Sequence, residues 1–198
     1  MFLKNEYYIL YLLTIIVFLF NSKVSADSND KNIILNHLNS LKYFSASFLQ
    51  NDGENLSEGK VYIGKKRVRA EYFSPTKILI ILSENKGMYY NYELDEDEFF
   101  NPKNTNAWFF YDIFRNTFFF EDSLIESKNN YLTIKKNGLN KDGDNYFIKV
   151  YFEKNPLVLR KVDVLVNENL IQLSLYNHNY NEEFDKNFFK LINPKFFD

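Results

Sequence analysis

The chain has 198 residues, 45% of them hydrophobic, and no cysteine. That length suits one domain with a sizeable core, and the missing cysteine excludes a disulfide framework, a thiolate zinc site, a cysteine nucleophile and a lipidated N-terminal cysteine. A formal net charge of −2 leaves no footprint for nucleic acid.

The chain opens on a targeting pattern. Lys4 supplies a positive charge beside Glu6, and Tyr7 to Phe20 is an apolar run interrupted only by Thr14 and tyrosine hydroxyls. Val24-Ser25-Ala26 then places small residues at a cleavage position. This is the three-part signal-peptide pattern, and the run falls short of the roughly 20 residues of a membrane span. The expectation is a signal peptide over 1–26 and a mature domain over 27–198.

Asp27 to Asp30 can cap a helix. Ile34, Leu38 and Leu41 follow at i, i+4 and i+7 and give that helix one apolar face. Next the apolar residues alternate: Phe44, Ala46, Phe48; then Val61, Ile63; then Val68, Ala70, Tyr72. Period two marks strands with one buried face. Asn51-Asp52-Gly53, Gly64-Lys65-Lys66, Ser74-Pro75 and Glu84 to Gly87 supply the turns, so an antiparallel meander is the economical arrangement. The continuous I-L-I-I-L ending at Leu82 predicts a strand buried on both faces, and Met88 to Tyr92 an aromatic strand. Asp95-Glu96-Asp97-Glu98 sits where a hairpin should turn and reads as a solvated tip, not a metal site.

Asn101-Pro102 to Asn106 breaks the meander. Ala107 to Arg115, which holds the only tryptophan, Trp108, reads as a short helix with one very apolar side. From Phe118 strands return: Tyr131 to Ile134, Asn145 to Phe152, Leu157 to Val166 and Leu170 to Tyr176. Lys141-Asp142-Gly143-Asp144 and Val166-Asn167-Glu168-Asn169 make hairpin turns. An aromatic content of 19% also favours strands over a helical bundle.

Enzyme chemistry finds little support. His37 lies on the N-terminal helix and His178 at the end of a late strand, and no spacing brings them together. Both read as exposed or capping. No G-x-S-x-G, H-E-x-x-H or Gly-rich phosphate loop occurs, and six glycines could hardly build one. No catalytic residue, metal or cofactor is expected.

Four stretches carry a resemblance. They are Phe44-Ser45-Ala46-Ser47-Phe48-Leu49-Gln50, the glycine-led strand Gly59 to Ile63, Arg69-Ala70-Glu71-Tyr72-Phe73-Ser74-Pro75, and Met88-Tyr89-Tyr90-Asn91-Tyr92. In that order and spacing they resemble the outer-membrane lipoprotein carrier (LolA) family of Gram-negative bacteria. Leu165 to Ile171 corresponds to the family's late hairpin, and Phe188-Phe189-Lys190-Leu191 before Asn193-Pro194 to its terminal strand. The chain departs in two places: Ala70 replaces a large aromatic, and Lys65-Lys66-Arg67 replaces an Arg-Pro pair.

The resemblance implies a single-domain unclosed antiparallel β-barrel of about 10–11 strands. An N-terminal helix and short central helices would cover its concave hydrophobic face as a lid. It implies a periplasmic, monomeric carrier without catalysis. Such a carrier takes triacylated lipoproteins from an inner-membrane lipoprotein-releasing ABC transporter complex and hands them to an outer-membrane acceptor. A carrier of another lipid, phospholipid or glycolipid, stands as the alternative on the same fold. The expected acyl contacts are Phe44, Phe48, Val68, Ala70, Tyr72, Ile80, Leu82, Tyr90, Tyr92, Trp108, Ile113 and Phe114. The family's lid-holding basic residue falls at Lys65 or Arg67. Strand parity puts Arg69 outside the cavity, paired with Glu71. A small outer-membrane β-barrel would need long strands with outward apolar residues, and charges within the strand segments disfavour it.

Overall fold

The computed structural model describes residues 25–197. The expected leader lies outside them, apart from Ser25 and Ala26. Helix α1 spans Ser25–Ser40. The helix already runs at Ser25, so Asp27 to Asp30 lie within its first turns and not before it. Ile34 and Leu38, with Leu41 just beyond, are buried as their spacing predicts.

Six strands then follow: β1 (Phe44–Asn51), β2 (Leu56–Ile63), β3 (Val68–Ser74), β4 (Ile78–Leu82), β5 (Gly87–Asn91) and β6 (Glu96–Phe100). Helix α2 spans Ala107–Arg115, between single 3-10 turns at Pro102–Asn104 and Thr117–Phe120. Five more strands complete the chain: β7 (Leu124–Lys128), β8 (Tyr131–Leu139), β9 (Asn145–Glu153), β10 (Val158–Val166) and β11 (Asn169–Asn179). All eleven form one sheet, antiparallel at every pairing.

The order of pairing decides the shape. β1 to β6 run outward from the middle as a meander, and β11 pairs on the other side of β1. From there β10, β9, β8 and β7 lead to the opposite edge. The two free edges, β6 and β7, are therefore consecutive in sequence and do not pair with each other. This is an unclosed barrel. The chain joining its edges has to cross the opening, and that connection carries α2.

The main core lies on the concave face. Phe44, Phe48, Val61, Ile134, Val150 and Val164 from five strands pack there beneath Ile34 of α1 and Phe109 of α2. A smaller cluster, Leu79, Ile81, Met88 and Tyr90, lies on the outer face with Tyr92 and Leu191 against it. The segment after β11 covers that outer side. Phe184, Phe188 and Phe189 stack on one another and on Tyr62. This coverage is why I-L-I-I-L carries apolar residues on both faces.

Three sequence expectations are corrected. Glu96, Asp97 and Glu98 belong to edge strand β6, paired with Asn91, Tyr90 and Tyr89, and the turn lies before them. Charge on an edge strand blunts pairing with other chains. Phe118 does not resume a strand but sits in a 3-10 turn. Phe188 to Leu191 form turns, not a terminal strand, because their rings pack on the outer face and leave no sheet edge to join.

Candidate functional site

The concave face is not completely filled. A hollow of about 220 Å³ remains between the sheet and α2. Its sheet wall is built by alternation: Phe48 on β1, Val61 on β2, Val68, Ala70 and Tyr72 on β3, and Ile80 and Leu82 on β4. Ile171 and Leu173 come from β11, which the β1 pairing brings alongside, with Gln50 opposite Leu173. Ala107, Phe110 and Phe114 form the roof, one face of α2.

Two polar side chains of the wall pair with each other. Tyr72 Oη donates to Gln50 Oε1 at 2.9 Å, and burial pushes the Tyr72 phenol up to about 12. It stays a neutral donor at any physiological pH. Phe48 meets the Tyr72 ring edge-on at 5.0 Å. Gly59 makes this possible: a Cβ there would lie 2.5 Å from the Phe48 ring and 2.2 Å from Glu71 O. The motif's leading glycine is thus a steric requirement of the wall.

The lid is held by its own arginine. Arg115, in the last turn of α2, donates from Nη2 to Leu41 O at 2.6 Å and from Nη1 to Gly64 O at 3.0 Å. Its guanidinium is half-buried and meets no carboxylate among the described residues. Burial lowers its pKa to about 10, still charged near neutrality. Arg115 Nε is buried without a hydrogen-bond partner. Tyr111 Oη, on the same helix, donates to Lys66 O at 3.5 Å. α1 packs beside α2 and against β7 and β8, with Lys31 Nζ donating to the carbonyl of Glu121.

Seven of the expected acyl contacts line the hollow: Phe48, Val68, Ala70, Tyr72, Ile80, Leu82 and Phe114. Phe44 is buried elsewhere, 5.8 Å from the His178 ring and 5.2 Å from Tyr180. Ile113 faces α1, near Leu35 and Leu38. Trp108 turns to the far side of α2, against Phe119 and Tyr146. Tyr90 and Tyr92 lie on the outer face. The register pairs Leu79 with Tyr90 and Ile80 with Tyr89, and an assignment one residue out moves a strand's side chains to the other face.

Of the two expected lid contacts, Lys65 touches the lid through its backbone, its carbonyl accepting from Arg115 Nη1 at 3.5 Å, while the Arg67 side chain is engaged elsewhere. Arg67 Nη1 donates to Phe189 O and so ties down the C-terminal segment. Lys65 Nζ sits over the Tyr43 ring at 5.7 Å. The turn carrying them supplies acceptors, and the donor is on the lid. Arg69 lies outside the hollow as expected, with Nε donating to Glu71 Oε1 at 2.7 Å and Nη1 to Phe188 O at 2.6 Å.

The histidines do converge, against expectation. His37 of α1 and His178 of β11 flank Tyr180, at 6.1 Å and 6.2 Å between ring centroids. His37 also meets Phe152 edge-on at 5.9 Å. His178 Nε2 lies 2.7 Å from Leu159 O, and His37 Nε2 is buried without a partner. Among the described residues no three His, Asp or Glu side chains cluster as a metal site would need.

Val61, Phe110, Ile171 and Leu173 are wall or roof residues that sequence reasoning missed. Val61 had the alternation that could have found it. Ile171 and Leu173 needed the β1–β11 pairing, which joins the two ends of the chain.

An open antiparallel barrel with an apolar hollow under a helical roof is a binding architecture for an apolar ligand. Comparison with known proteins makes the class particular. The family model "Outer membrane lipoprotein carrier protein LolA" matches residues 39–192, and the chain belongs to that family. No curated protein matches it in sequence. Solved structures share the fold, two of them as follows. An uncharacterized conserved protein from Thermus thermophilus superposes with a TM-score of 0.55 at 12% identity, over 82% of this chain and 93% of that one. MucB superposes with a TM-score of 0.50 at 9% identity, over 82% of this chain and 62% of its own. Among the described residues no helix is long and apolar enough to cross a membrane.

Proposed function

We propose that the chain is a periplasmic carrier that binds the acyl chains of lipoproteins released from the inner membrane and delivers them to the outer membrane. The observation that carries this reading is the unfilled apolar hollow roofed by a hydrogen-bonded helix. Each buried methylene of an acyl chain contributes roughly 0.8 kcal/mol, so a few carbons suffice to compete with the roof. The closed hollow, about 220 Å³, is below the roughly 300–1,000 Å³ of ordinary ligand pockets. Three acyl chains therefore require α2 to lift. Lifting exposes Phe110 and Phe114, and the return of these rings favours release. The protein binds and does not catalyse. Its partners are triacylated lipoproteins, the inner-membrane lipoprotein-releasing ABC transporter complex and an outer-membrane acceptor.

The test is a release assay. The chain from Asp27 is incubated with spheroplasts holding a newly made outer-membrane lipoprotein. A soluble one-to-one complex is the expected result. Extractable phospholipid or glycolipid in the purified protein, with no lipoprotein released, would move the cargo to that lipid.

A further inference from the structure

A second concavity lies beside the roof. The β2–β3 turn and the β4–β5 turn sit next to each other against the last turn of α2, around a hollow of about 470 Å³. Lys65, Lys66, Arg67, Lys86 and Arg115 line it, with Glu84 the one acidic residue among its walls. Glu84 is itself 3.6 Å from Lys103 Nζ. Among the described residues none of the five cations forms an ion pair. Both arginines rest on backbone carbonyls. Lys65 and Lys86 lie over the rings of Tyr43 and Phe99. The whole chain carries a net −2, so the excess is local to this hollow. Uncompensated cations in a concavity raise the local concentration of anions.

We propose that this hollow docks the chain on an anionic phospholipid surface through phosphodiester headgroups. Three of the cations are lysines, compact hydrated charges without the fork that grips one oxyanion. They are spread over two neighbouring turns and exposed, which suits a plane of headgroups better than a single ion. Docking here holds the Arg115 end of α2 against the bilayer, beside the acyl hollow. The inference goes beyond the carrier reading and can fail independently of it.

The test uses the chain from Asp27, which keeps all eleven strands and lacks the apolar run that would enter lipid unaided. Binding is measured by co-sedimentation with vesicles of phosphatidylglycerol and phosphatidylcholine in equal parts, and of phosphatidylcholine alone. Binding is expected only to the anionic vesicles, and weaker at high salt. One cation near such a surface changes partitioning roughly fivefold, so Lys66→Glu with Lys86→Glu should reduce it more than tenfold. Lys77→Glu with Lys149→Glu makes the same charge change at residues that line neither this hollow nor the one beside it, and should retain binding. Equal losses in the two pairs, or equal binding to neutral vesicles, overturn the proposal. Displacement by millimolar inorganic phosphate reassigns the hollow to a free oxyanion. Capture of polyglutamate with no vesicle binding reassigns it to an acidic protein. Acyl uptake by Lys86→Glu alone should equal that of the parent chain. Vesicle binding without any acyl uptake would sink the carrier reading and leave the docking site standing.

Discussion

At the scale of single residues, two side chains define the site. Ala70 stands in the wall where the family carries a large ring, and the space it leaves is part of the hollow. Ala70→Trp should fill that space. Binding of a fluorescent fatty acid should weaken about tenfold or more, which is 1.4 kcal/mol, with the melting temperature little changed. Undiminished uptake would mean that the ligand sits elsewhere. Arg115 is the lid's own donor and was not among the expected lid contacts, since the family pattern suggested a basic residue on the β2–β3 turn. It is half-buried, and its charge is satisfied by carbonyls alone. Arg115→Gln should cost about 1–3 kcal/mol, the loss of charged hydrogen bonds. Amide exchange in α2 should quicken. Unchanged exchange there would show that Arg115 does not hold the lid.

At the scale of elements, α1 is docked through a histidine pair. Burial lowers the pKa of both His37 and His178 below the ordinary 6.5, and their mutual repulsion adds to the shift at His37. Arg160 disfavours the charge on His178 further, against a favourable contact with Leu159 O. Tyr180, Phe44 and Phe152 complete the surroundings. The folded state therefore binds these protons less readily than the unfolded one. Their contribution to stability is complete above pH 6.5 and falls as pH drops below 6.5 towards the folded values. Unfolding midpoints measured from pH 8 to pH 5 should fall, and His37→Gln should flatten that slope. The same slope in both proteins would contradict the pairing. The outer face makes a different prediction. Met88 is fully buried there, beneath the C-terminal segment. Met88→Ala should cost about 2–5 kcal/mol in denaturant unfolding and leave the fatty-acid affinity of the folded protein unaltered. A loss of that affinity would place the outer cluster in the binding path.

At the scale of the whole molecule, the meander pairings were legible and the junction between its two halves was not. Alternation at Phe44-Ala46-Phe48 and Val68-Ala70-Tyr72 placed β1 and β3 because one face is buried and the other is not. Ala107 to Arg115 was readable as a helix to the residue. Parity failed in β5 and at Tyr92 just beyond it, where Tyr89, Tyr90 and Tyr92 are all aromatic and only the partner strand decides which ring faces in. The β1–β11 junction was invisible, because no local signal ties Gln50 to Leu173 across the length of the chain. The His37–His178 pair was missed for the same reason. One topological fact also constrains how the hollow can open. The strap bearing α2 is anchored to both free edges of the sheet, so it cannot swing aside like a hinged door. It works as a drawstring: anything that forces the roof up pulls on β6 and β7 together. The width of the gape and the position of the helix are then one motion, and a ligand that loosens one edge strand has already begun to unfasten the other.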